Sequence, residues 1–156
     1  VSCNPSLDQI FGPGGILDQR LPNYEFRPSQ LQMARAVLAV IEREGHLAVE
    51  AGTGTGKTLA YLIPALYSKR RVIVSTATRN LQEQLFFKDI PFVKRNLFPK
   101  LSVTYMKGRN NYICLKKLYH SAPLPIPGGA DDEVRELRQW SSRTETGDRV
   151  ELPWIA

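Results

Sequence analysis

The chain reads as an α/β fold, a parallel sheet with flanking helices. Three observations predict it. Apolar or β-branched runs at 46–50 (HLAVE), 71–75 (RVIVS) and 101–106 (LSVTYM) have the length and composition of strands. Segments with helical spacing alternate with them, which is the pattern of βαβ units. A glycine-rich stretch, Ala51-Gly-Thr-Gly-Thr-Gly-Lys57-Thr58, joins the first run to the helix after it. In an open parallel sheet that strand end is where ligands bind.

Residues 1–25 hold FGPGG and LPN and read as an N-terminal loop region. A helix begins at Pro28, whose missing N–H costs nothing in a first turn. Leu31, Ala34, Val37, Leu38 and Ile41 share its apolar face, and Gly45 is the expected stop. The first strand, the glycine-rich turn and a helix over Lys57–Ser68 follow. The second strand leads to a helix over Arg79–Asp89, and the turn NLFPK leads to the third strand. Beyond Met106 the alternation weakens. Residues 110–119 suit a helix, SAPLPIPGG a linker, and Asp131–Trp140 an amphipathic helix. The closing TGDRVELPWIA completes no element, and no internal repeat is visible.

Composition narrows the class. With 156 residues, 42% hydrophobic and 23% charged, the chain suits one ordinary globular domain. No apolar run is long enough for a bilayer, so no membrane partner is expected. The N-terminus lacks the basic and apolar regions of a secretory signal, so the cytoplasm is the expected compartment. Val1 is not an initiator methionine, so this end reads as processed or cut. The net charge of +6 is compatible with a polyanionic partner such as nucleic acid. Cys3 and Cys114 are too few and too far apart for a disulfide framework.

The glycine-rich stretch has the phosphate-binding loop pattern, with Ala51 where the general pattern has its first glycine. Gly52, Gly54 and Gly56 let the backbone turn tightly and approach phosphate oxygens. Thr53 and Thr55 complete the loop, and Leu59 follows it in the first helical turn. The helix beginning at Lys57 adds the positive end of its dipole. Lys57 is expected to reach the β- and γ-phosphates of ATP, and the Thr58 hydroxyl to ligate Mg2+. A flexible Gly/Thr turn is the bland alternative, and the strand before and helix after argue against it.

The surroundings extend this reading. YEFRPSQLQMARAV before the loop and EAGTGTGKTLAYLIPAL across it together resemble the start of superfamily-two helicases of the DinG/XPD type. The resemblance implies an incomplete RecA-like motor domain of the P-loop NTPase class over 26–108, and over 109–156 the start of a helical iron–sulfur-type insert. It also implies ATP-driven DNA unwinding in repair or replication by 5′-to-3′ movement on single strands, with single-stranded or forked DNA as the partner. Gln30 is then expected to read the adenine edge, since its amide both donates and accepts. Arg27 would support that element or touch the nucleotide. STATRNLQEQL at 75–85 resembles motif Ia, which places Thr76, Thr78 and Arg79 on DNA phosphates. Thr78 also suits a plain helix N-cap, and Leu81, Leu85 and Phe86 suit core positions.

MKGRNNYICL at 106–115 resembles the approach to the family's iron–sulfur domain. Lys107, Arg109 and Tyr112 are its candidates for single-strand contact, where one base on an aromatic ring contributes ~1–3 kcal/mol. Cys114 would be the first thiolate of a [4Fe–4S] cluster, which usually takes four. No cysteine follows Cys114, so in this chain it is expected to behave as a small buried hydrophobe.

One motif is missing from the pattern. An ATPase of this kind holds Mg2+ on an acidic pair at the end of an apolar strand. VIVS runs into Thr76, and SVTYM ends at Lys107. Asp131-Asp132-Glu133 follows PGGA and suits a helix start instead. The expectation is a monomeric chain that binds nucleotide with negligible turnover. Two other readings stay open: a different P-loop enzyme such as a small-molecule kinase, and a non-catalytic nucleic-acid-binding module.

Overall fold

The computed structural model describes residues 5–120 and 130–152. The expected linker at 121–129, Cys3 and the last residues of the closing stretch lie outside them. The chain divides into two compact units, residues 1–103 and 104–156.

The first unit is helical. Helices α1 (Leu7–Phe11) and α2 (Ile16–Arg20) fill part of the expected N-terminal loop region. Ser6 and Gln9 close a capping box on α1: each backbone N–H donates to the other's side-chain oxygen, at 2.8 and 3.2 Å. The pair is short, but Ile10, Phe11 and Leu17 are wholly buried against α3 (Pro28–Glu42) and its neighbours. Burying such side chains stabilises the fold by about 1.5–3 kcal/mol each.

Helix α3 starts at Pro28 as expected and buries Leu31 and Ala34, with Leu38 packed beside them. Its stop differs from the expectation at Gly45. Glu44 takes the left-handed conformation (φ 57°) and meets Arg70 in a 3.0 Å ion pair. Backbone bonds from the Glu44 N–H to the Ile41 carbonyl (3.3 Å) and from the Gly45 N–H to the Val40 carbonyl (3.0 Å) close the helix end around that residue. Helix α4 (Lys57–Tyr67) buries Leu59, Ala60, Leu62 and Ile63 against α3.

The third helical stretch runs further than expected and is not uniform. It comprises α5 (Arg79–Gln84), a π-helical turn at Leu85–Asp89 and α6 (Ile90–Asn96). Leu85 and Val93 face the core, Phe86 is partly covered and Leu81 is exposed.

The expected sheet is the main correction. Among the described residues no strand forms at 46–50, 71–75 or 101–106. Apolar side chains in these runs are exposed, Ile73 at 90% and Val72, Val74 and Val103 at 37% each. A parallel sheet is stable when both faces are covered. Here the helices pack on one another and leave these runs uncovered.

In the second unit the expected helix at 110–119 is split. A 3-10 turn at Arg109–Asn111 is followed by an extended step through Tyr112 and then α7 (Leu115–His120). Helix α8 (Ala130–Ser141) matches the expected amphipathic helix, with the acidic run in its first turn. It packs on α7, where Arg138 lies over the Tyr119 ring. A second 3-10 turn, Arg149–Glu151, is capped by the Asp148 carboxylate accepting from the Val150 N–H at 3.1 Å. Glu151 accepts from Thr146, Thr144 and Trp140, and these bonds hold its carboxyl below the usual glutamate range. Among the described residues no helix is long and apolar enough to cross a membrane.

Candidate functional site

The glycine-rich loop keeps its sequence-predicted form without a sheet beside it. Gly54 and Gly56 both take left-handed backbone conformations, φ +75° and +76°. A Cβ on Gly54 would meet open space, whereas one on Gly56 would lie 2.2 Å from the Gln30 amide nitrogen. The backbone conformation favours glycine at Gly56, and a side chain there would also push the Gln30 amide aside. Helix α4 begins on the next residue, so its free N–H end faces the loop.

Side chains hold the loop by its carbonyls. Lys57 Nζ donates to the carbonyl of Ala51 at 2.8 Å and to that of Gly52. Arg27 donates to the Gly54 carbonyl while paired with Glu25 at 3.0 Å. Gln30, only 5% exposed, donates from Nε2 to the Gly56 carbonyl at 3.0 Å. Arg27 and Gln30 are thus both brought to the loop, with the Gln30 amide engaged on the loop backbone. Thr55 Oγ1 donates to the Gly52 carbonyl at 2.9 Å, and Gly52 and Thr53 stay exposed.

The Thr58 hydroxyl sits against the Tyr61 phenol. Burial pushes that phenol's pKa up, the Thr58 hydrogen bond opposes the rise, and the Asp89 charge adds to it. Leu59 turns into the core, which leaves only its backbone for a ligand. A cavity of about 270 Å3 adjoins the loop, lined by Ser29, Gln30, Met33, Val49, Ala51 and Thr55. The hollow combines apolar side chains with the polar groups of Ser29, Gln30, Glu50 and Thr55.

The candidate nucleic-acid residues are dispersed. Thr78 caps α5 by accepting from the Leu81 N–H at 3.3 Å, and Thr76 donates to the Thr78 carbonyl at 3.3 Å. Arg79 is exposed on the first turn of α5. In the second unit Arg109 is exposed and Tyr112 half-buried, its phenol oxygen accepting from the Lys107 N–H at 2.8 Å. Lys107 is placed differently from the expectation. Its side chain is 3% exposed and its ammonium lies 2.7 Å from the Asp148 carboxylate, itself 6% exposed. The charge expected to meet a phosphate is spent inside the protein.

Cys114 is free and exposed, which corrects its reading as a buried hydrophobe. Among the described residues no three His, Cys, Asp or Glu side chains group as metal ligands. Cys114 alone does not make a [4Fe–4S] site.

Sequence reasoning missed two residues at this site, Tyr24 and Tyr61. Tyr24 donates to the Phe11 carbonyl at 2.7 Å and stands 3.2 Å from Gln30 Oε1. Both lie inside the stretches that carry the resemblance, yet no local pattern marks a tyrosine as a loop support.

Residues 27–125 match the DEAD/DEAH box helicase family. The chain belongs to that family. Among curated proteins it is similar to the ATP-dependent DNA helicase YoaA of Escherichia coli, 46% identical over 142 residues, 88% of this chain and 22% of that protein. It is also similar to YoaA of Haemophilus influenzae, 41% identical over 152 residues, 96% of this chain and 24% of that protein. The ATP-dependent helicase DinG of Mycobacterium tuberculosis is 39% identical over 152 residues, 81% of this chain and 22% of that protein. The chain therefore spans under a quarter of the length of these relatives. No solved structure matches it. Membership of the DEAD/DEAH box helicases implies a P-loop NTPase fold, consistent with the loop geometry around Lys57.

Proposed function

We propose that this chain supplies the nucleotide-binding segment of an ATP-dependent DNA helicase that binds single-stranded or forked DNA and couples ATP hydrolysis to unwinding, in repair or replication. The observation that carries the reading is the loop before α4, with Gly54 and Gly56 left-handed and Lys57 held over its carbonyls. An arriving triphosphate exchanges those carbonyls for its own oxygens at the Lys57 ammonium, which is a stronger, charge-assisted pairing. The helix N-terminus adds backbone donors. Thr58 offers a hydroxyl oxygen to Mg2+, and the hollow beside Gln30 takes the base. Thr76, Thr78, Arg79, Arg109 and Tyr112 are the proposed DNA contacts, with the backbone N–H of Lys107 holding the Tyr112 hydroxyl. The 156 residues carry no acidic pair at the end of an apolar run, so this chain alone binds ATP with negligible turnover.

The test is thermal unfolding with and without excess Mg-ATP, beside Lys57→Ala. Ligand at 100 times its Kd stabilises a fold by about 2.7 kcal/mol. In a chain of this size that raises the midpoint by roughly 2–4 °C per kcal/mol. A rise in the parent and none in Lys57→Ala is expected. Equal rises in both would remove the phosphate-loop assignment.

A further inference from the structure

We propose that Arg149 is a further nucleic-acid contact: with Arg109 it forms a two-guanidinium site for the phosphates of a single DNA strand. This deepens the DNA-binding reading and rests on it. Arg149 lies in the closing stretch TGDRVELPWIA, which completes no element in sequence. The fold gives that stretch a place. Gly147 takes the left-handed conformation, φ +68°, and the Ile113 N–H donates to its carbonyl at 2.9 Å. Tyr112 pairs with Asp148 in an antiparallel bridge. Arg149 then reaches the 3-10 turn at Arg109–Asn111, where its Nη1 donates to the Asn110 carbonyl at 3.3 Å. Asn110 is the residue after Arg109, so the Arg149 guanidinium rests on the same turn that carries the Arg109 side chain.

The charges around the turn favour an anion. Both arginines are exposed, and among the described residues neither has an ion-pair partner. The carboxylates beside Arg149 in sequence are engaged elsewhere. Asp148 faces the buried Lys107 ammonium at 2.7 Å. Glu151 accepts from Thr144 at 2.7 Å, from Trp140 at 3.2 Å and from Thr146. The bond to the Asn110 carbonyl uses one of several guanidinium N–H donors, and the others remain for a ligand. A guanidinium meets phosphate oxygens with paired N–H bonds, which a neutral side chain cannot do. The base of the site is fixed on both sides of Arg149. Asp148 is held by the ion pair, and its Oδ1 accepts from the Val150 N–H at 3.1 Å. Tyr112, half-buried, follows the turn directly. Cations beside an aromatic ring suit a single strand, in which phosphates alternate with unpaired bases.

The experiment follows binding of a fluorescently labelled oligothymidylate to the full chain by anisotropy, over a series of salt concentrations. Each phosphate neutralised on a single strand contributes about 0.7 to the slope of log K against log salt. Arg149→Ala and Arg149→Gln are each expected to lower that slope by about one such step and to weaken binding severalfold. Arg149→Gln keeps an N–H donor for the Asn110 carbonyl and removes the charge, so it separates contact from support of the turn. Arg149→Lys keeps the charge and is expected to keep the parent slope. Arg135, paired with Asp132 at 2.8 Å on α8, is the control cation, and Arg135→Ala is also expected to keep the parent slope. An unchanged slope in Arg149→Gln, a lowered slope in Arg149→Lys, or an equal fall in Arg135→Ala overturns the proposal. A lowered slope in Arg109→Ala beside unchanged slopes in the Arg149 variants sinks this inference alone and leaves the DNA reading standing. A parent that shows no salt-dependent binding of the oligonucleotide removes both.

Discussion

The phosphate loop and the Lys107–Asp148 neighbourhood both hold a lysine, and they use it in opposite ways. At the loop, Lys57, Arg27 and Gln30 donate to backbone carbonyls, and the lysine is only half-covered. In the second unit Lys107 and Asp148 meet charge to charge with 3% and 6% of their side chains exposed. A cation resting on neutral carbonyls gives them up readily to an anion. A cation buried against a carboxylate is committed, because separating the pair breaks a short ion pair away from water. The difference separates a site prepared for exchange from a joint that holds structure.

Substitution at the joint should give the largest effect. Asp148→Asn removes the negative charge and keeps the shape, taking from the buried Lys107 ammonium its carboxylate partner at 2.7 Å. A loss of about 3–5 kcal/mol is expected. Urea unfolding followed by tryptophan fluorescence would measure it, since both tryptophans, Trp140 and Trp154, belong to the second unit. A loss below 1 kcal/mol would make the joint no more committed than the loop. At the loop, Gly56→Ala is expected to cost more than Gly54→Ala. Both force a side chain into the left-handed region, at roughly 1–2 kcal/mol, but only Gly56 also displaces Gln30. Equal midpoint shifts in the two variants would show that the Gln30 bond does not restrain the loop.

The smallest expected effect has the opposite sign. Asp89 ends the π-helical turn, and its Oδ2 is buried without a partner. Burial raises its pKa, while Gln84 and Lys88 pull it down. An acid whose folded pKa lies above its unfolded value costs stability as pH rises through that window. Asp89→Asn should therefore stabilise the first unit at neutral pH by about 1 kcal/mol. The gain should shrink as pH falls below the raised carboxylate range, in thermal scans at several pH values. The same Asp-to-Asn change thus destabilises at 148 and stabilises at 89, and equal signs would end the contrast.

Local signals account for what was readable in advance. The start of α4 at Lys57, the Thr78 cap on α5 and the bounds of α8 follow from spacing, glycine and capping chemistry within a few residues. The loop pattern carries its own geometry, so Gly54 and Gly56 behave as their sequence suggests. What failed to read depends on distant partners. RVIVS has strand composition, but a strand exists only in a ladder with a neighbour. Lys107 reads as a surface base until Asp148 is placed beside it. Tyr24 reads as part of a motif until its hydroxyl is seen between Phe11 and Gln30. Glu44, not Gly45, takes the left-handed position at the end of α3, a choice that no local residue pattern marks. The π-helical turn has no sequence mark that we recognise.

The uncovered run at 71–75 has a practical consequence. Val72, Ile73 and Val74 form a short, uncharged, proline-free stretch with Ile73 almost fully in solvent. Stretches of this kind template cross-chain association, because each bare backbone group accepts a partner from another molecule. Solutions of this chain should therefore lose clarity with rising concentration, and a charge placed at Ile73 should delay that loss without touching the phosphate loop.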